Sequence, residues 1–107
     1  MKKIISVLLL SVLFSASASA EFMIYGQGSS SCGEWVAENK KDSKEYYRLT
    51  DWLTGFITGF NYSGKAQLKK TDYDAMFLFV TNYCNANPLD RVSKAAGALV
   101  VALRVQE

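Results

Sequence analysis

The clearest hydrophobic pattern lies in the middle of the chain and predicts an amphipathic helix. Its apolar residues recur at intervals of three and four, as on one helical face. They are Leu49, Trp52, Leu53, Phe56, Ile57 and Phe60. Polar residues such as Asp51 and Thr58 fall on the other side. The sequence Asn61-Tyr62-Ser63-Gly64 is typical of a turn, so we expect the helix to end there.

A first helix is predicted ahead of this one. Ser31 stands three residues before Glu34, which is the spacing of a capping box. We therefore expect a short helix that begins at Cys32, directs Trp35 inward and ends near residues 39–41.

A third helix is predicted after the connector of residues 65–70. Thr71 and Asp74 repeat the capping spacing at its start. Residues 75–80 are apolar on every side, which is typical of the most buried helix of a small bundle. Cys84 lies on its last turn.

The start of a fourth helix is predicted from its local chemistry. Asn87 is a good capping residue, Pro88 suits the first helical position, and Asp90 favours the positive end of the helix dipole. The expected inward stripe, up to the end of the chain, is Leu89, Val92, Ala96, Leu99, Val100 and Leu103.

These elements predict an all-α fold, because no segment shows the alternation of a strand. A chain of 107 residues suits one domain. We expect a small four-helix orthogonal bundle over residues 32–107. The predicted core residues are Trp35, Trp52, Phe56, Phe77, Val80, Leu99 and Leu103.

The N-terminus has the pattern of a secretory signal peptide. Two lysines precede an apolar run at residues 4–14, and small residues fill positions 15–20. We predict cleavage after Ala20; a membrane anchor is the alternative, but a span needs about 20 apolar residues. Residues 21–31 then form a short arm with a flexible glycine- and serine-rich part, which either frays or lies across the core.

Charge argues against a nucleic-acid partner. The chain has 12 basic and 10 acidic residues, and cleavage would remove Lys2 and Lys3. The exported chain is therefore balanced and lacks the basic face that nucleic-acid binding requires.

The two cysteines, Cys32 and Cys84, predict a disulfide, because an even number in an exported chain is typical of disulfide bonding. Two free buried thiols are the alternative. A metal site is disfavoured because the chain has no histidine.

The same absence of histidine argues against an enzyme, since Ser-His and Cys-His nucleophile pairs are excluded. Glu34 and Glu38 are interpreted as a solvated helix face, and Asp72 and Asp74 as capping and dipole residues. No phosphate-binding loop or metal-ligand spacing occurs. We expect no catalytic residues and no cofactor.

A candidate protein-interaction surface lies along the second helix. Gly55 and Gly59 border the apolar stripe, and each lowers helix propensity by about 1 kcal/mol relative to alanine. We favour core packing as the compensation; the alternative is a partner's helix or strand. The surface comprises Trp52, Gly55, Phe56, Gly59 and Phe60.

Three sequence features together resemble the HdeA/HdeB family of small exported helical proteins. They are Cys32-x-x-Trp35, then Trp52 with Gly55-x-x-x-Gly59-x-Asn61, and Tyr83-Cys84-Asn85-Ala86-Asn87-Pro88 before a final helix. The resemblance spans residues 31–103. It implies a periplasmic protein of Gram-negative bacteria and, as in the best-known members, a neutral-pH homodimer that dissociates in acid and shields unfolded clients.

Two functions follow as expectations. The first is an acid-activated holdase chaperone: protonating ten carboxylates would make the exported chain positive and loosen it, with Asp74 and Asp90 as candidate titrating residues. Without histidine, this response is expected below about pH 4. The alternative is an exported binding module with one specific protein partner, such as an immunity or inhibitor protein of the Rap/Tai type.

Overall fold

The computed structural model describes residues 23–105, which form four α-helices and no strand. In chain order these are α1 (Cys32–Glu38), α2 (Lys44–Tyr62), α3 (Tyr73–Ala86) and α4 (Val92–Leu103). Each helix contacts the other three. The predicted all-α four-helix fold is confirmed. The predicted signal peptide, residues 1–20, lies outside the described residues.

The start of α1 matches the sequence prediction. The Ser31 hydroxyl accepts a hydrogen bond of 3.1 Å from the backbone N–H of Glu34, and the helix begins at Cys32. A hydroxyl at the cap satisfies one of the N–H groups that the first turn leaves without a helical partner.

The length of α2 exceeds what its apolar stripe predicts, and its burial is uneven. Ser43 caps it by accepting from the N–H of Tyr46 at 3.1 Å. The side chains of Leu49 and Leu53 are buried, whereas Trp52 and Phe56 are only half-buried. Both aromatic residues pack against the core without being fully buried, so the prediction that they belong to it is confirmed only in part.

The start and the burial of α3 differ from the prediction. Its cap is Asp72 and not Thr71: the Asp72 Oδ1 accepts from the N–H of Ala75 at 2.8 Å. The helix is also not buried all round, since Leu78 is 59% exposed while Val80 is fully buried. An apolar segment on the outside of a bundle has only one side covered, whatever its sequence.

The fourth helix begins at Val92, several residues later than predicted. Asn87 caps the C-terminus of α3 instead: its backbone N–H and its Nδ2 both donate to the carbonyl oxygen of Tyr83, at 2.9 Å and 3.0 Å. Leu89, expected to face inward, is 96% exposed. The residues of α4 that are buried are Val92, Ala95, Ala96, Leu99 and Val100.

Hydrogen bonds donated by α1 explain why α4 starts later than predicted. The backbone N–H of Cys32 donates to the carbonyl oxygen of Asp90 at 2.7 Å. The backbone N–H of Gly33 donates to the carbonyl oxygen of Pro88 at 3.0 Å. In a helix that began at Pro88 these carbonyls would be directed along its own axis, whereas here they are directed at α1. The loop between α3 and α4 therefore caps α1 rather than opening α4.

The core is built around the predicted disulfide, which is confirmed. Cys32 and Cys84 join the start of α1 to the last turn of α3, and neither is exposed. Trp35 is fully buried beside them, and its Nε1 donates to the Oγ1 of Thr81 at 3.0 Å. Of the other predicted core residues, Val80 and Leu99 are buried, while Phe77 and Leu103 pack against the core partly exposed.

Candidate functional site: an apolar groove

The arm, predicted over residues 21–31 and described from Met23 onward, lies across the bundle. A 3-10 turn at Gly26–Ser29 contacts both α2 and α4. The Nε1 of Trp52 donates to the carbonyl oxygen of Tyr25 at 2.9 Å. The carbonyl oxygen of Ser30 accepts from the N–H of Val92 at 2.9 Å. These bonds hold the arm against the two helices.

The contact between the arm and α2 requires a glycine. A Cβ at Gly28 would overlap the six-membered ring of Trp52. The Trp52 ring also stacks on Phe56, with centroids 5.4 Å apart and an interplanar angle of 21°. The arm therefore covers part of an aromatic pair that would otherwise be more exposed.

A groove of about 850 Å³ lies between the arm, α2 and α4. Its lining comes from all three segments: Met23, Ile24, Tyr25, Asp51, Trp52, Gly55, Phe56, Ser93, Lys94 and Gly97.

The chemistry of this groove is mainly apolar. Its one indole donor, Trp52 Nε1, is already bonded to Tyr25. Its charged residues, Asp51 and Lys94, have opposite signs, and Lys94 Nζ also lies 3.7 Å from Asp90 Oδ2. The groove thus offers aromatic and aliphatic surface with no net charge, which suits an apolar ligand.

Two glycines leave the helix backbones open in the groove. Apart from its chain neighbours and the backbone of its own helix, an added Cβ would meet no described atom within 4 Å at Gly55 in α2 or at Gly97 in α4. The same holds for Gly59. Within residues 23–105, no core packing compensates for these glycines, so that interpretation is wrong. A ligand can instead approach the backbone closely.

The predicted interaction surface is only partly brought together. Trp52, Gly55 and Phe56 line the groove, whereas Gly59 and Phe60 lie about one turn farther along α2 and are not part of its lining. Sequence reasoning missed the contributions of residues 23–25 of the arm, of Asp51 on α2, and of Ser93, Lys94 and Gly97 on α4. The apolar character of the arm was the only signal for the first.

The two predicted acid-titrating residues have different surroundings. The carboxylate of Asp90 accepts a hydrogen bond of 2.6 Å from the hydroxyl of Tyr83 and pairs with Lys94. This hydrogen bond raises the pKa of Tyr83 above its ordinary value, since it favours the protonated phenol. Asp74 lies in the first turn of α3, where the helix dipole favours a negative charge.

No helix between residues 23 and 105 is long and apolar enough to cross a membrane. Over the same residues, no three His, Cys, Asp or Glu side chains are grouped so that they could hold a metal ion. No protein-family model, curated protein or solved structure matches the chain. The resemblance to the HdeA/HdeB family stays a prediction.

Proposed function

We propose that this protein is an exported, non-catalytic binding protein that holds an apolar segment of one protein partner in the groove between the arm, α2 and α4. The observation that carries the proposal is the open groove of the folded state, which has no net charge and in which Gly55 and Gly97 expose helix backbone. Exported immunity and inhibitor proteins belong to this functional class.

The shape of the groove favours a polypeptide over a small molecule. Small-molecule sites bury most of the ligand and place several polar groups around it. Here Met23 and Tyr25 in the lining are 74% and 75% exposed, and the indole N–H is already used. A shallow apolar groove between helices is typical of sites that take an apolar peptide face.

Site-specific photo-crosslinking in the cells that produce the protein tests the proposal. A photo-reactive phenylalanine replaces Met23 in the groove or, as the control, Leu78, which is exposed on α3 outside it. We expect one discrete adduct from position 23 at neutral pH and none from position 78. Equal labelling from both positions, or no adduct from position 23, would contradict the proposal.

Two glycine variants show whether the adduct depends on the groove. Gly55→Leu places a side chain in the groove, whereas Gly59→Leu places one in open space outside it. We expect Gly55→Leu to abolish the adduct and Gly59→Leu to retain it. An adduct with the mass of two copies of this chain would make the groove a homodimer interface and overturn the proposal of a separate partner.

The acid-activated holdase is the second candidate, and the surroundings of Asp90 favour it. The Asp90 carboxylate links Tyr83 to Lys94 beside the end of α3 that carries the disulfide. Protonation would weaken both contacts while the disulfide kept α1 and α3 joined. The loosened chain would then expose apolar surface to unfolded clients.

Dye binding and light scattering of an aggregating client, measured from pH 7 to pH 2.5, test this second function. We expect little change down to about pH 5, and loosening with suppressed aggregation below about pH 4. Asp90→Asn removes the ion pair with Lys94 and is compared with Asp74→Asn, which changes an exposed carboxylate at the start of α3. Unchanged structure and no protection at pH 2.5 would exclude the holdase.

A further inference from the structure

A second cavity, of about 410 Å³, lies where the α1–α2 loop, α2 and the start of α3 meet. It adjoins the apolar groove at Asp51 and combines phenol rings with carboxylates. Its lining is Asp42, Tyr46, Tyr47, Thr50, Asp51 and Tyr73.

The aromatic part of this cavity is already in place in the folded chain. The rings of Tyr46 and Tyr47 meet edge to face, with centroids 5.4 Å apart and an interplanar angle of 80°. Tyr46 is 8% exposed, and its ring packs against Phe77 at 4.7 Å. Tyr47 and Tyr73 are about half exposed, so a ligand can reach them.

The polar part of the cavity is acidic, and two of its hydroxyl groups already donate hydrogen bonds within the protein. The hydroxyl of Tyr47 donates to Asp42 Oδ1 at 3.1 Å, and that of Thr50 donates to the carbonyl oxygen of Tyr46 at 3.0 Å. The contact with Asp42 raises the pKa of Tyr47. Among residues 23–105, no lysine or arginine lies within ion-pair distance of Asp42 or Asp51.

We infer that this cavity binds an organic cation, namely the ammonium or guanidinium group of a lysine or arginine side chain. Phenol rings attract such a group through their π faces, and the two carboxylates supply the opposite charge. An anion would be repelled by Asp42 and Asp51. A neutral apolar group would remove water from the carboxylates without compensation.

The position of the cavity favours a side chain as the source of the cation. Asp51 lines both the cavity and the apolar groove. Tyr47, Asp51 and Gly55 are spaced four apart on α2 and so lie along one helical face, about 6 Å along the axis per step. A polypeptide in the groove could therefore place a basic side chain here; this step alone rests on the proposed function.

Titrations of the oxidised protein followed by NMR test the inference with small probes. The probes are N-acetyl-lysine methylamide, tetramethylammonium and, as a neutral control of similar shape, N-acetyl-norleucine methylamide. We expect the lysine probe to bind with a millimolar dissociation constant and to shift the amide signals of residues 42–51, with no effect of the norleucine probe. Binding of tetramethylammonium alone would make the ligand a free quaternary cation and overturn the assignment to a side chain.

Variants show whether the signal comes from this cavity. Tyr47→Leu removes a ring, and Asp42→Asn removes a charge while keeping a residue type that tolerates the φ of 65° found there. Each should weaken lysine-probe binding about two- to fivefold. Tyr62→Leu and Glu45→Gln, on α2 but outside the cavity, are the controls and should not weaken it.

Each variant is first shown to be folded by circular dichroism. Equal weakening by Asp42→Asn and Glu45→Gln, with none by Tyr47→Leu, would mean attraction by net charge only and would overturn the inference, as would equal binding by all four variants. No response to any cation would also overturn it. None of these results bears on the groove, which is tested separately by Gly55→Leu.

Discussion

Gly28 lies against the indole of Trp52 so closely that a Cβ on Gly28 would overlap the ring. The same indole donates its N–H to the carbonyl oxygen of Tyr25. Two backbone positions of the arm therefore hold one side chain of α2. The side of the groove that the arm forms depends on this contact.

The first prediction concerns Gly28→Ala. We expect it to lower the free energy of unfolding by about 1 to 3 kcal/mol, because the added methyl group forces the Trp52 ring or the arm to move. Urea unfolding followed by tryptophan fluorescence measures the change. Gly59→Ala is the matched control and should raise stability by up to about 1 kcal/mol, since it adds helix propensity in open space. Equal stability of the two variants would refute the close contact.

The second prediction separates the two tryptophans. Trp35 is fully buried and bonded to Thr81, whereas Trp52 is half-buried. We expect Trp35→Ala to lower stability by about 3 to 5 kcal/mol and Trp52→Ala by about 1 to 2 kcal/mol. Chemical unfolding at neutral pH checks this order.

Trp35→Ala alone could prevent folding, so Thr81→Val provides a milder variant. It removes the hydroxyl that accepts from the Trp35 N–H at 3.0 Å and from Asn39 Nδ2 at 3.4 Å, and should lower stability by about 1 kcal/mol. A larger loss from Trp52→Ala than from Trp35→Ala would show that the second tryptophan is the core residue.

The third prediction concerns the disulfide. It closes a loop with a sequence separation of 52, and in the chain-entropy model such a loop stabilises by about 4 kcal/mol. Reduction should therefore lower the midpoint of urea unfolding strongly, and the double variant Cys32→Ala with Cys84→Ala should behave like the reduced protein. Intact mass spectrometry verifies the oxidation state. The expectation fails if the oxidised and reduced forms unfold at the same urea concentration.

The fourth prediction is a dependence on alkaline pH. The hydrogen bond to Asp90 raises the pKa of Tyr83 in the folded protein above that in the unfolded chain. The bond's contribution to stability is therefore complete below about pH 10 and is lost as the pH rises through the folded pKa. We expect Tyr83→Phe to be less stable than the natural chain by a constant amount from pH 7 to 9.

At higher pH that difference should shrink, because the bond is then lost in the natural chain as well. Unfolding curves at several pH values provide the measurement. Tyr62→Phe, at the exposed end of α2, is the control and should match the natural chain up to pH 9. A difference between Tyr83→Phe and the natural chain that grows above pH 10 would have the wrong sign for this bond.

Local chemistry in the sequence was enough to predict the helices and the disulfide. Ser31 caps α1 as predicted because its hydroxyl reaches an N–H only three residues away. The pairing of Cys32 with Cys84 needed only an even number of cysteines and the inference of export. Such features depend on residue type and short spacing, which the sequence states directly.

Contacts between distant segments decided what the sequence left open. Asn87, Pro88 and Asp90 have the local chemistry of a helix start, yet the carbonyls of Pro88 and Asp90 accept bonds from α1 and α4 begins at Val92. A capping propensity of about 1 kcal/mol is outweighed once tertiary contacts satisfy the same backbone groups.

The groove likewise depends on which side of each helix the bundle covers. Periodicity placed Trp52 and Phe56 on the apolar face of α2, but it could not show where the cover of the other helices ends. The arm then covers part of this face, because Gly28 lets the chain approach the Trp52 ring. The sequence by itself determined the presence of four helices, the cap of α1 at Ser31 and the disulfide. Tertiary packing decided the groove, since an exposed apolar face exists only where no other segment lies against it.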